Sequence, residues 1–161
     1  MGRMTPSVDA PLIALSPACL DDAPFLLAIR NHPETRRGSF SEDAITQEEH
    51  QAWLTVALAS PDRCRLFIGI ERGLPIGMGR LNLDSDRGEA EISVTVHWDH
   101  QGRGVGTALI EALAREATTL GVKMLVAQIK EGNTGSRIAF ARAGFAVEEW
   151  AEGVVTMLRR L

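Results

Sequence analysis

The stretch Gln101-Gly102-Arg103-Gly104-Val105-Gly106-Thr107 carries the clearest chemistry in this 161-residue chain. Its three glycines in five residues stand where an apolar, strand-like run over residues 89–97 gives way to a helix-like run over residues 105–120. Glycines let the backbone turn sharply there and leave successive N–H groups uncovered at the helix start, where the helix dipole adds positive potential. Such a junction suits phosphate, so an anionic, diphosphate-bearing ligand is the first reading; an ordinary Gly-rich turn is the other. No lysine follows Gly106, which argues against a nucleoside-triphosphate loop. A dinucleotide fingerprint would want glycine in place of Thr107 and an acid ending the next strand, over residues 123–128, and the sequence has neither.

Other reactive residue types are sparse. His97 and His100 sit beside the Gly loop without an acidic or cysteine cluster, so no metal site is read. Cys19 and Cys64 form no metal or redox motif and read as reduced thiols of a cytoplasmic protein without signal peptide or long apolar run. A composition of 45% hydrophobic and 24% charged residues describes one globular domain over residues 1–161, with residues 1–11 as a loose leader. The net charge of −4 gives no reason to expect nucleic acid or an anionic membrane as partner.

The elements that must position the loop follow from pattern. Residues 12–15 form a short strand, and Asp21 or Asp22 caps a helix with Phe25, Leu26 and Ile29 on one face, ended by Pro33. Residues 34–44 have no apolar period and read as a loop. Thr46 and Glu49 make a capping box that opens a second helix, with Trp53, Leu54, Ala57 and Leu58 on its apolar face. Strands over residues 66–71 and 76–83 flank a hairpin turn, and a third follows over residues 89–97. In the third strand Ala90, Ile92, Val94 and Val96 alternate with Glu89, Glu91, Ser93 and Thr95, one row for the core and one for a cleft or solvent. The next helix carries Val105, Leu109, Leu113, Ala117 and Leu120 at helical spacing, with Glu111 and Arg115 as an exposed pair, and stops at Gly121. A buried strand over residues 122–129, a short helix from Asn133 to Gly144 and a closing hairpin over residues 147–158 complete the chain.

The loop satisfies Gln/Arg-x-x-Gly-x-Gly/Ala through Gln101, Gly104 and Gly106, and Asn133-x-x-Ser136-x-x-x-Phe140-x-x-x-Gly144-Phe145 follows at a fitting distance. Together with the element order these motifs resemble the GNAT superfamily of N-acetyltransferases across essentially the whole chain. The resemblance implies an α/β (α+β) fold, a mixed and mostly antiparallel sheet of about seven strands flanked by about four helices. It implies acetyl-CoA as co-substrate, no metal, and transfer of the acetyl group to a primary amine by direct attack. Pyrophosphate contacts then fall to Gln101, Gly102, Arg103, Gly104, Val105, Gly106 and Thr107, and main-chain contacts to the pantetheine arm fall to Val94, Thr95 and Val96. Asn133, Ser136 and Phe140 are carried over as further cofactor contacts. Glu91, with Glu89 two residues back on the same face, matches the family's general base. Ordinary readings stand beside these: solvated glutamates, Asn133 as helix cap, Phe140 as core, Gly144 as C-cap.

One position departs from the family pattern. Many members carry, where Phe140 stands, a tyrosine that protonates the departing thiolate, and this chain has no tyrosine. Ser136 or a water is left to serve, or the thiolate leaves unaided; a weakly catalytic domain that senses acetyl-CoA is the reading from another class. Arg30, Arg36, His50 and Trp53 are read as acceptor-side residues, because the run from Arg30 to Trp53 resembles bacterial enzymes that acetylate nucleotide-linked amino sugars or ribosomal-protein N-termini. A small-molecule amine is therefore the expected partner, and a homodimer is left open.

Overall fold

A computed structural model describes residues 10–161, so most of the expected leader, residues 1–9, lies outside the described residues. Seven strands form one sheet: β1 (Ala14–Pro17), β2 (Cys64–Glu71), β3 (Leu74–Asp84), β4 (Glu89–Val96), β5 (Met124–Lys130), β6 (Ala146–Ala151) and β7 (Val154–Arg160). The spatial order is β1-β2-β3-β4-β5-β7-β6. Every neighbouring pair is antiparallel except β4 and β5, which run parallel. Both tight hairpins turn as their sequences ask, with Arg72-Gly73 and Glu152-Gly153 at positive φ, the geometry of two-residue turns that match strand twist.

Five α-helices cover the two faces: α1 (Ala23–Asn31), α2 (Pro33–Gly38), α3 (Gln47–Leu58), α4 (Val105–Thr119) and α5 (Thr134–Arg142). Beneath α4 and α5, Leu109, Leu113 and Ala117 pack with Ile92, Leu125 and Val155 of the sheet and with Phe140 and Phe145. On the other face Leu26 of α1 and Leu54 of α3 pack on Leu66 and Ile68 of β2. The alternation in β4 explains how one strand serves both sides: Ala90 and Ile92 are buried under α4, while Glu91, Ser93 and Thr95 face the α1–α3 side.

Two expectations need correction. Residues 34–44 are not all loop, because Pro33–Gly38 is helical. Pro33 does end α1, but His32 is also an extended N-cap whose ring Nδ1 accepts the Glu34 N–H (3.3 Å), so Pro33 takes the first helical position, where a missing N–H costs nothing. The expected Glu111–Arg115 pair does not form, because Glu111 faces β7 and accepts from Arg159 at 3.0 Å. Other signals are realised in part: Asp22 is the N-cap of α1, but its carboxylate accepts the Cys19 N–H at 2.8 Å and does not cap that helix. Thr46 and Glu49 make both bonds of the capping box at 3.1 Å, and Phe145 returns its N–H to the Phe140 carbonyl at 3.1 Å past Gly144, which sits at φ 85°.

Candidate active site

The site begins where β4 and β5 part. Their pairing covers only Glu89, Ala90 and Glu91 against Met124, Leu125 and Val126, and beyond Glu91 the two strands diverge. The His97 N–H donates to the Ile76 carbonyl at 2.7 Å, which sets the phase of the β3–β4 ladder. By that phase the peptide groups of Val94 and Val96 turn away from β3, into the gap that β5 has left. The gap is a cleft of about 480 Å³.

The Gly loop closes one end of the cleft. Gly102 (φ 79°) and Gly104 (φ 77°) both occupy the left-handed region, and Gly104 is the N-cap of α4 without any side-chain cap. The first bond of the helix runs from Ala108 N–H to the Gly104 carbonyl at 3.1 Å. The N–H groups of Val105, Gly106 and Thr107 therefore have no intrahelical acceptor, and all three residues line the cleft. Gly106 faces Val96 and Ala139 across the cleft wall, and a Cβ there would meet both only at ordinary contact distance, 3.8 and 3.6 Å. Gln101 donates its side-chain amide to the Val96 carbonyl at 3.2 Å, tying the loop to the end of β4.

The residues expected to hold the cofactor divide. Val94, Thr95, Val96, Gln101, Gly102, Gly104, Val105, Gly106, Thr107, Asn133 and Ser136 all line the cleft. The side chain of Arg103 does not, because its guanidinium is paired with Glu71 at 3.0 Å and contacts His100 at 3.1 Å. That bond from Arg103 is the main reason the Glu71 carboxyl sits below the usual carboxylate range. Phe140 does not line the cleft either: it is 3% exposed, its ring edge-on to Phe145 at 4.9 Å inside the core. A helix face explains the split, since Ser136, Ala139 and Arg142 recur every three residues on the cleft side of α5 while Phe140 points to the sheet.

Sequence reasoning missed two parts of the wall. Glu34, Thr35, Gly38 and Ser39 bring α2 to the cleft. Asn133 holds them there: its Oδ1 caps α5 by accepting the Ser136 N–H (3.2 Å) while its Nδ2 donates to the Gly38 carbonyl (3.3 Å). Lys130 adds a bond to the Arg37 carbonyl (3.1 Å) and an ion pair with Glu42 (3.0 Å). Arg142 is the second omission and the one basic side chain among the cleft-lining residues described. The three-residue spacing from Ser136 was the signal that could have found it. A charge-assisted bond from an exposed guanidinium to phosphate contributes modestly, so Arg142→Ala is expected to weaken acetyl-CoA binding by about tenfold. Calorimetric titration at two salt concentrations checks this, with a shallower salt dependence expected for the variant.

The acids and the acceptor-side residues lie on the other face. Glu91 is exposed and is the last β4 residue still paired with β5, so it stands where the two strands begin to part. Glu89 is half-buried, two residues deeper in the paired part, opposite Asp84 and Met124. Arg30 is half-buried; its Nη2 donates to the Ser41 carbonyl at 3.4 Å and its Nη1 is buried with no partner among the described residues. Arg36, on α2, likewise has a buried and unpartnered Nε. Trp53 is 38% exposed rather than core, with the Arg80 guanidinium 5.9 Å from its ring centre. His97 stacks on Trp98 at 3.8 Å and Trp98 on His32 at 4.3 Å, an aromatic wall joining the end of β4 to the start of α2.

His50 is 4% exposed, with Trp53 at 5.7 Å. Desolvation, and then the charge of Arg30, push its pKa below the ordinary 6.5. The folded protein thus keeps His50 neutral where the unfolded chain already takes up a proton. The stability this contributes is complete above about pH 6.5 and is lost as pH falls through the lowered folded value. His50→Phe is expected to flatten the loss of stability between about pH 7 and pH 5, checked by urea unfolding across that range.

Comparison with known proteins decides the family. The model for the acetyltransferase (GNAT) domain matches residues 13–146. The chain belongs to the GNAT acetyltransferases. An L-methionine sulfoximine/L-methionine sulfone acetyltransferase of Pseudomonas paraeruginosa is 30% identical over 131 residues, which are 78% of this chain and 76% of that protein. The L-amino acid N-acyltransferase MnaT of Escherichia coli is 39% identical over 66 residues, 41% of this chain and 38% of its own length. Among solved structures, spermidine N-acetyltransferase from Vibrio cholerae, in complex with coenzyme A and spermine, superposes with a TM-score of 0.83 at 18% identity, covering 92% of this chain and 95% of that one. As a GNAT acetyltransferase, the protein takes its acetyl group from acetyl-CoA, and no helix among the described residues is long and apolar enough to cross a membrane.

Proposed function

We propose that this GNAT acetyltransferase acetylates the primary amine of a small amino-acid-like molecule by direct attack on acetyl-CoA. The observation that carries the reading is the parting of β4 and β5 at Glu91, above a helix N-terminus with three free N–H groups. In this reading the pyrophosphate rests on the N–H groups of residues 105–107, with Arg142 beside it. The pantetheine arm runs along the Val94 peptide group and the Val96 N–H, which brings the thioester toward Glu91. The acceptor approaches from the α1–α3 side, where Glu91 takes a proton from the ammonium, directly or through one water. The neutral nitrogen attacks the thioester carbonyl carbon, a C–N bond forms, the nitrogen of the adduct releases its surplus proton to solvent, the C–S bond breaks and the thiolate departs. Phe140 offers it no proton, and Ser136, which lines the cleft, or solvent water does. A free thiol pKa of about 8.5 makes the thiolate a tolerable leaving group in either case.

The curated relatives named above act on amino acids, which supports that acceptor class over the nucleotide-linked amino sugar that the run from Arg30 to Trp53 suggests. The amino sugar stays as the second reading, because Arg30 and Arg36 carry buried guanidinium nitrogens without partners. Thiol release from acetyl-CoA in the presence of amino acids, polyamines, N-terminal peptides and nucleotide-linked amino sugars tests the proposal. Turnover with amino acids is the expected result. Turnover confined to peptides or sugars replaces the acceptor class, and silence across the panel with acetyl-CoA still bound leaves a sensor domain.

A further inference from the structure

Arg80 shares with Arg30, Arg36 and Arg137 a buried guanidinium nitrogen without a partner, and it is the one of the four that stands beside Glu91 on the sheet. It lies on β3, half-buried, directly opposite Ser93 of β4. Its Nε is buried with no partner, and its closest polar contact is a long 3.5 Å approach of Nη2 to the Ser93 hydroxyl. The indole of Trp53 flanks the guanidinium, and beyond Trp53 come His50 and Arg30, whose Nη1 is also unpartnered. Among the described residues neither Arg80 nor Arg30, both half-buried, is in an ion pair. A guanidinium desolvated against an indole and left without an anion is costly to the fold and ready to receive one.

Position says which anion. Ser93 and Glu91 share the face of β4 that looks toward α1 and α3, and Arg80 opposes Ser93, so Glu91 is the diagonal neighbour of Arg80. Diagonal neighbours on one face stand about 7–8 Å apart. A molecule bridging them must carry its basic nitrogen and its anion within a few bonds of each other. An α-amino acid does this, with the amine one carbon from the carboxylate; a nucleotide-linked amino sugar puts its phosphates on the far side of a sugar ring. We propose that Arg80, braced by Trp53, binds the α-carboxylate of the acceptor and thereby sets both its specificity and the direction in which its amine faces Glu91. This rests on the small-amine reading above and adds to it the group that selects the substrate.

The test compares L-methionine sulfone with its carboxamide as acceptors at saturating acetyl-CoA, in the wild type and in Arg80→Gln. For the wild type, kcat/KM is expected to be about 10- to 100-fold higher for the acid than for the amide, the worth of a charge-assisted, bidentate contact. In Arg80→Gln the KM for the acid rises by a similar factor, while the KM for the amide and the affinity for acetyl-CoA stay within about twofold. Equal use of acid and amide by the wild type overturns the proposal without needing any variant, as does an equal loss on both acceptors in Arg80→Gln. A uridine-diphosphate-linked amino sugar used better than the acid overturns the carboxylate assignment. Absence of turnover with either acid or amide, with acetyl-CoA bound, removes the amino-acid reading itself. A clamp failure and a failure of the underlying reading therefore give different results.

Discussion

Glu91→Gln is expected to lower kcat by about 100- to 10,000-fold while leaving acetyl-CoA affinity unchanged. Glutamine keeps the size of the side chain and its hydrogen bonding but cannot take a proton. Glu91 is exposed and outside the cleft that receives the cofactor, so binding there has no reason to change. The variant should recover part of its rate as pH rises, because the acceptor's ammonium then loses its proton to solvent and supplies its own neutral form. Steady-state thiol release against pH, paired with calorimetry, measures both halves. A variant that turns over like the wild type at neutral pH would remove Glu91 as the base, and Glu89 would be a poor heir, since it sits in the paired part of β4 away from the gap.

The second large effect belongs to the packing of α4 on the sheet. Leu113 of α4 is fully buried, and it fits into the dimple left by Gly79 of β3, where a Cβ would overlap its Cδ1. Truncating a leucine in such a place costs about 2–5 kcal/mol, because the transfer term and the residual cavity add. Leu113→Ala should therefore lower the melting temperature by roughly 4–20 °C for a chain of this size. Gly79→Ala alone forces the same leucine aside and costs about 1–3 kcal/mol. Combined, the two changes are expected to cost less than their sum, since the new methyl occupies space that the leucine vacates. Thermal unfolding of the two single variants and the double variant checks this, and simple additivity would show that Leu113 and Gly79 do not share that contact.

How much of this could be read in the chain follows from where each signal comes from. Local signals were plain: the capping box at Thr46, the two-residue period of β4 and the glycines before α4 each act within one element. What depended on the fold was hidden. The helix α2 has no apolar period because it faces a cleft and rests on Asn133 and Lys130, nearly a hundred residues away in sequence. Glu111 had a partner four residues along at Arg115, but β7 brings Arg159 closer. Asn133 was legible as a cap and as a cofactor residue, yet its second bond, to Gly38, appears only when α2 is in place. Arg80 carries no signal of its own in the sequence, and only the approach of Trp53 and the register with Ser93 give it meaning. Phe140 went the other way: the motif pointed to the cofactor, and helix geometry sends its ring into the core.

The measurement that bears most directly on direct acetyl transfer follows the acetyl group itself. The protein would be incubated with acetyl-CoA labelled in the acetyl carbon and with L-methionine sulfone, and the label traced by mass spectrometry. Label on the acceptor nitrogen, matched by an equal amount of free thiol and with none on the protein, is the expected result. Label held on a side chain of the protein would contradict direct attack, and an unlabelled acceptor beside a cofactor-saturated protein would contradict amino-acid acetylation.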